Sequence, residues 1–190
     1  MLRRSRAEAE DGPARVAVTL RGGGQVEGAT GLPVLDHLLA EVARAARVDL
    51  AVSAGAAGGE QLVGAVGRAL GEAVAGLLRA PGARGLASQV APALEALANV
   101  VVEAADEGLL VTNVDLTEAR LGGLRGDLVG QFLGALAEGA RATLHVRLLH
   151  GEDTGHVLDA IAKALGLALA EACAPRPDVQ ESPSEGAPSG

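Results

Sequence analysis

Leu38-Leu39-Ala40-Glu41-Val42-Ala43-Arg44-Ala45-Ala46-Arg47-Val48-Asp49-Leu50-Ala51-Val52 returns, altered but in step, as Phe132-Leu133-Gly134-Ala135-Leu136-Ala137-Glu138-Gly139-Ala140-Arg141-Ala142-Thr143-Leu144-His145-Val146. Each copy opens with apolar residues at helical spacing and closes on a short alternating run, so each reads as a helix that hands the chain to a strand. Farther along, Ala65-Val66-Gly67-Arg68-Ala69-Leu70-Gly71 is answered by Ala160-Ile161-Ala162-Lys163-Ala164-Leu165-Gly166. The order of elements recurs as well as the residues, so the chain is a tandem duplication rather than a single Ala/Leu-biased run.

Working outward, Val16, Val18 and Leu20 alternate as a strand, and Gly22 to Gly24 read as a hairpin-type turn into a returning strand at Gln25 to Thr30. A helix is expected after Pro33, a strand at Val48 to Val52, and a helix over Gln61 to Leu78. The second unit gives a strand-like stretch at Leu97–Val102, a turn at Glu107–Gly108, and a strand at Leu109–Leu116. A helix at Asp127–Gly139, a strand at Ala142–Leu149 and a helix at Thr154–Ala172 follow. The fold class is therefore α+β, a duplicated unit of one sheet and two helices, with the helices on one face of each sheet. The expected divisions are a ragged start at 1–12, a first half at 13–91, a second half at 92–174, and a Pro/Ser/acidic tail at 175–190 that has nothing to bury.

Composition narrows the function classes. Of the 190 residues, 48% are hydrophobic and 21% charged, ordinary usage for a globular chain. One Phe and no Tyr or Trp leave no aromatic platform for stacking bases, and a net charge of −8 repels phosphate backbones, so a nucleic-acid binder is not expected. No apolar run approaches the roughly 20 residues that span a bilayer, and no membrane association is expected. A single cysteine, Cys173, excludes an internal disulfide. These features fit a cytoplasmic protein.

Four histidines are available for chemistry: His37, His145, His150 and His156. On the last helix His156, Asp159 and Lys163 fall one and two turns apart and share a face, while Leu158, Ile161, Leu165 and Leu169 make the opposite, core-facing stripe. A histidine and a carboxylate one turn apart suit a divalent metal such as Mn or Zn, and a lysine on the same face suits a phosphate. The same pattern also describes a solvated pair at a helix start. His37 beside Asp36 reads equally as a helix-capping residue, and His145 as an ordinary strand histidine.

Four collinear segments resemble the imidazoleglycerol-phosphate dehydratase family, the hydro-lyase of histidine biosynthesis. They are Thr30-Gly31-Leu32-Pro33-Val34-Leu35-Asp36-His37-Leu38-Leu39, Ala119-Arg120-Leu121-Gly122-Gly123, Ala142-Thr143-Leu144-His145-Val146-Arg147-Leu148-Leu149-His150-Gly151, and Thr154-Gly155-His156-Val157-Leu158-Asp159-Ala160-Ile161-Ala162-Lys163-Ala164-Leu165. The resemblance covers residues 13–174. It implies a duplicated fold like the second domain of ribosomal protein S5, assembly into a large symmetric homo-oligomeric shell, and metal sites between subunits. There two manganese ions are held by an H-H-x-x-E helix from each half and by the D-H and L-H histidines. It places His37, His145, His156 and Asp159 at metal-ligand positions, with Asp159 in place of a Glu. Arg120 and Lys163 fall where the family binds the phosphate of its small-molecule substrate.

The departures concentrate in the first half. Where the family has its first H-H-x-x-E, the chain reads Glu60-Gln61-Leu62-Val63-Gly64, and in the second motif the first histidine is Gly155. Ala87-Ser88-Gln89 stands where a further phosphate-binding Arg is expected, and the catalytic Glu of the family's N-terminal segment corresponds loosely to Glu10 or Asp11, so no catalytic residue is assigned. A metal needs about four to six donors in fixed geometry, and the matched set has fallen to four. The expectation is a divergent paralogue that keeps fold and assembly with impaired or no catalysis. The alternatives are a residual active dehydratase and a repurposed enzyme on the same fold.

Overall fold

The protein is described here by a computed structural model, which covers residues 6–115, 120–121, 124–125 and 127–176. The first unit comprises β1 (Arg6–Asp11), β2 (Ala14–Thr19), β3 (Val26–Ala29), α1 (Pro33–Ala46), β4 (Asp49–Ala54) and α2 (Gly59–Leu78). The second comprises β5 (Leu86–Ala93), β6 (Ala96–Ala104), β7 (Leu109–Thr112), a two-residue pair β8 (Arg120–Leu121) and β9 (Leu124–Arg125), α3 (Asp127–Ala140), β10 (Ala142–His150) and α4 (Thr154–Ala172). The sheets have matching orders, β1-β2-β4-β3 and β5-β6-β10-β7, each with its last-named strand parallel to its neighbour and the rest antiparallel. Duplication is thus visible in topology and register: Val16 faces Val52 as Val100 faces Val146.

The four helices lie between the two sheets. α2 packs on β1 and β2 and against α3, while α4 packs on β5 and β6 and against α1. The core is one cluster of Leu, Val and Ala that runs through both halves and includes the single Phe132. The repeated helix–strand junction closes the same way twice. Arg47 and Arg141 follow α1 and α3 with φ of 52° and 49°, and Val48 N donates to Ala43 O to finish the α1 turn. Non-glycine residues pay about 1 kcal/mol or more to sit there, so these two turns are held by their surroundings.

Where helices of opposite halves cross, a glycine is required. A Cβ on Gly166 of α4 would lie 2.5 Å from Val42 O and 3.1 Å from Ala46 N of α1. A Cβ on Gly71 of α2 would meet the equivalent atoms of α3, Leu136 O and Ala140 N, the latter at 2.6 Å. Backbone lies against backbone at both crossings.

Several sequence expectations change. The first dozen residues are not ragged throughout: Arg6–Asp11 forms the edge strand β1, paired along its length with β2, with Arg15 bridging Glu8 and Glu10 on the outer face. Gly22 to Gly24 do not make a hairpin. β2 pairs with β1 and β4, and the glycine run carries the chain across the end of α1 to the far side of β4, where β3 runs parallel to it. Gly24, at φ 79°, is the point of closest passage, since a Cβ there would be 2.9 Å from Arg44 Cα. β5 spans the expected boundary at residue 91 and belongs wholly to the second sheet. The strand expected over Leu109–Leu116 ends at Thr112, whose Oγ1 accepts from Val114 N and turns the chain away. The tail at 177–190 lies outside the described residues.

Replacing Gly71 or Gly166 by Val forces the helix pairs apart and is expected to cost about 3 kcal/mol or more, a fall in Tm of about 6–12 °C for a chain of this size. Gly76→Ala and Gly130→Ala, at helical positions whose Cβ meets no atom within 4 Å, are expected to stabilise by about 0.5–1 kcal/mol. Thermal melts of the four variants check the contrast.

Candidate functional site

α1 and α4 start side by side, and the sequence fixes both starts. Pro33 occupies the first turn of α1. The Asp36 side chain turns back, its Oδ1 accepting from Thr30 N and Thr30 Oγ1 at 2.7 Å each. Asp36, not His37, therefore anchors the entry, and the histidine beside it is free to face α4. At the other helix Asp153 is the N-cap, accepting from His156 N at 3.0 Å.

His37 Nε2 and Asp159 Oδ1 share a hydrogen bond of 2.7 Å across the two helices. The pair is open to solvent, with side chains 54% and 30% exposed. His156, one turn before Asp159, directs Nδ1 to Glu95 Oε2 at 2.5 Å. His37, His156 and Asp159 line one open cleft of about 400 Å³, walled by Pro33, Val34 and Asp153. The expected stripe on the far side of α4 is buried: Leu158, Ile161, Leu165 and Leu169 are all at or below 5% exposure.

Glu95 was not anticipated from the sequence. It sits at the two-residue turn between β5 and β6, and the missing strand β5 hid the hairpin that delivers it. Its Oε1 accepts from Asp153 N at 3.1 Å, its Oε2 meets His156, and this hydrogen bonding, led by the Asp153 amide, draws its carboxyl down to about 2.

The other expected site residues fall elsewhere. His145 lies on β10 between Val101 of β6 and Val111 of β7, half-buried. Its neighbours Leu144 and Val146 point into the core, so His145 is on the outer face of the sheet, away from the helices. Lys163, two turns beyond His156 on α4, is half-buried and makes no hydrogen bond or ion pair among the described residues. Arg120 is in β8, and its side chain lies outside the described residues. Among the described residues no three His, Cys, Asp or Glu side chains gather as a metal shell.

The duplication supplies a second pair of helix starts for comparison. The positions equivalent to His37, His156 and Asp159 are Gln131, Gln61 and Gly64, at the paired starts of α3 and α2. There Gln131 Nε2 donates to Glu60 Oε1 at 3.3 Å, and no imidazole is present. Arg68, equivalent to Lys163, is engaged by Asp11 at 2.7 Å and by Glu138 at 3.9 Å.

Glu95 gives a pH test. A carboxyl held at about 2 in the folded chain, against an ordinary 4.5, contributes stability that is present above 4.5 and lost as pH falls toward 2. The difference in urea midpoint between the parent protein and Glu95→Gln is expected to be full at neutral pH and to shrink across that interval. A gap independent of pH would mean that the ionised form is not what Asp153 N and His156 hold.

Comparisons with known proteins agree with this architecture. The imidazoleglycerol-phosphate dehydratase family model matches residues 30–169. The chain is 36% identical over 174 residues to imidazoleglycerol-phosphate dehydratase of Moorella thermoacetica, covering 90% of this chain and 89% of that one. It is 38% identical over 170 residues to that of Thioalkalivibrio sulfidiphilus, covering 87% and 86%. The crystal structure of the Staphylococcus aureus dehydratase superposes with a TM-score of 0.81 at 23% identity, covering 90% of this chain and 100% of that one. That of Pyrococcus furiosus gives 0.76 at 27%, covering 92% and 97%. The matched span takes in both helix pairs and the cleft between α1 and α4, and the chain belongs to the imidazoleglycerol-phosphate dehydratase family.

Proposed function

We propose that this chain is a divergent dehydratase-family protein that keeps the fold and the assembly surface, with catalysis impaired or absent. The observation that carries the reading is the contrast between the two equivalent pairs of helix starts. One retains His37, His156 and Asp159, whereas the other presents Gln131, Gln61 and Gly64 with Glu60 bonded to Gln131.

The family's manganese does not fit the donors within one chain. His37 and Asp159 are spent on each other, His156 on Glu95, and His145 faces out from the opposite side of the second sheet. A divalent ion wants about four to six donors at once. Completing a shell at the α1–α4 cleft would require donors such as His145 from another copy of the chain. What the cleft residues offer by themselves is an exposed imidazole–carboxylate pair able to hold a proton between Nε2 of His37 and Oδ1 of Asp159, with Lys163 two turns away as a cation for a phosphate.

Assembly is supported by the outer face of the second sheet. Leu86, Val90 and Leu109 there are each about half exposed, and Val101 and Val111 flank His145. The equivalent face of the first sheet carries Arg6, Glu8, Glu10 and Arg15. Exposed Leu86, Val90 and Leu109 set among Ser88, Asn99, Glu103 and Arg147 on this face suit a mixed apolar and polar interaction surface, and a second copy is the occupant this reading assigns to it, in a cytoplasmic homo-oligomer.

Elemental analysis of protein purified without chelator, with molar mass measured on the same sample, tests the proposal. The expected result is a particle far above 18.9 kDa holding less than one manganese per chain. The expected rate of imidazoleglycerol-phosphate dehydration is about 10³-fold or more below that of an intact relative, since a lost metal site removes several kcal/mol of transition-state stabilisation. Two manganese ions per chain with full turnover would favour an active dehydratase instead. A monomer would remove the assembly half of the reading.

Rebuilding the missing donors gives the converse test. At Gly64 the atoms nearest to an added Cβ belong to the Arg68 guanidinium, at 3.6 Å, so Gly64→Glu fits without moving backbone. The combined variant Glu60→His, Gln61→His and Gly64→Glu is expected to raise bound manganese by about one per chain. Unchanged metal content would mean that more than these three side chains separates the two pairs of helix starts.

A further inference from the structure

Arg79, just past the end of α2, has a role that the second half does not repeat. Its Nη1 donates to Ala75 O at 3.1 Å and Ala140 O at 2.9 Å, and its Nη2 to Ala105 O at 2.6 Å and to Arg141 O. The guanidinium rests on the carbonyl end of α3, where the last C=O groups lack intrahelical donors and the helix dipole is negative.

The duplication carries Arg79 onto Ala174, and its four acceptor residues Ala75, Ala140, Ala105 and Arg141 onto Ala170, Ala46, Arg21 and Arg47. The first and last pairings follow from the helix and helix–strand repeats. The pairing of Ala105 with Arg21 follows from Gly24 and Gly108, which press on equivalent atoms of α1 and α3, Ala43 O and Arg44 Cα in one case and Ala137 O and Glu138 Cα in the other. All five counterparts line a single cavity of about 560 Å³ at the C-terminal ends of α1 and α4, the opposite end of these helices from His37 and His156. Among the described residues no turn or loop hydrogen bond ends on the carbonyls of Ala46, Arg47 or Arg21. Ala174 has no side chain to reach them.

The rest of the lining narrows the occupant. Leu77, Pro81 and Cys173 make apolar wall, and burial pushes the Cys173 thiol up to about 12, so it stays neutral and adds no charge. Arg21 and Arg47 are exposed and form no ion pair among the described residues. A bare cation entering between them would be repelled, whereas a cation that also carries an anion satisfies both the carbonyls and the arginines.

We propose that this cavity is a binding site for a small guanidino acid, of which free arginine is the simplest. Its guanidinium takes the place that Arg79 fills in the first half, on the carbonyls of Ala46, Arg47 and Arg21. Its carboxylate faces the side chains of Arg21 and Arg47. The site is independent of the dehydratase cleft and of any metal.

Isothermal calorimetry on the full chain, with L-arginine and its neutral isostere L-citrulline, tests this. Saturable binding of arginine is expected, with citrulline weaker by about tenfold or more because the carbonyl seat reads charge. In Ala174→Arg the new side chain occupies the seat and arginine binding falls by at least about tenfold. Absence of saturable arginine binding up to about 10 mM, equal affinity for citrulline, or unchanged binding in the folded variant would each overturn the proposal. Should Ala174→Arg fail to fold, the arginine–citrulline comparison on the unaltered protein decides alone.

Discussion

Two backbone contacts govern the arrangement of everything else: Gly71 against Leu136 and Ala140, and Gly166 against Val42 and Ala46. Each lets a helix of one half lie directly on the backbone of a helix of the other. Side chains have little room to absorb an error there, because at both glycines the nearest atom of the facing helix is a backbone carbonyl oxygen. The crossing therefore sets how the two sheets are spaced and which residues meet at either end of each helix pair. His37 and Asp159, 122 residues apart in sequence, come within hydrogen-bond distance because the crossing is tight. The almost aromatic-free composition belongs to the same design. A core of Leu, Val and Ala around glycine crossings packs helices closer than one built on Phe or Trp.

Much of this was legible in the sequence, and the reasons differ from element to element. The helices and the central strands announced themselves by period and by repetition, since their buried faces carry Leu and Val. The edge strands did not. β1 reads Arg-Ala-Glu-Ala-Glu-Asp, with Ala7, Ala9 and Asp11 on its inward side and Arg6, Glu8 and Glu10 outside, which is also how an unstructured leader looks. β5 turns Ala87, Ala91 and Ala93 inward and contains Pro92, a residue that argues against a strand unless the strand lies at an edge. The glycine run at 22–24 has the chemistry of a tight turn, but parallel pairing of β3 with β4 is a long-range fact that turn propensity cannot report.

The site was legible only in part for a related reason. His156 and Asp159 share a helix face, which local spacing reveals. The meeting of Asp159 with His37 depends on the helix crossing, and the role of Glu95 depends on a hairpin whose first strand was invisible. The outward direction of His145 follows from strand alternation once Leu144 and Val146 are known to be core.

A duplicated fold also offers an internal reference that a single unit lacks. Most positions in the shared elements have a counterpart at the same place in the other unit, although β8 and β9 have none in the first, so a difference between counterparts can be read against a common frame. At Gly71 and Gly166 the halves agree, each glycine facing the same two backbone atoms, while Gly67 and Gly139 of the α2–α3 crossing are answered by Ala162 and Ala45. At the helix ends they disagree, and in opposite senses. At the N-terminal ends the second half's α4 presents His156 and Asp159 where α2 has Gln61 and Gly64. At the C-terminal ends α2 is followed by Arg79 where α4 is followed by Ala174 and a cavity. Residues that hold the helices together and residues that equip their ends are separate sets. Side chains can therefore differ at an end without loosening a crossing, so the two ends of each helix pair can diverge while the architecture stays intact.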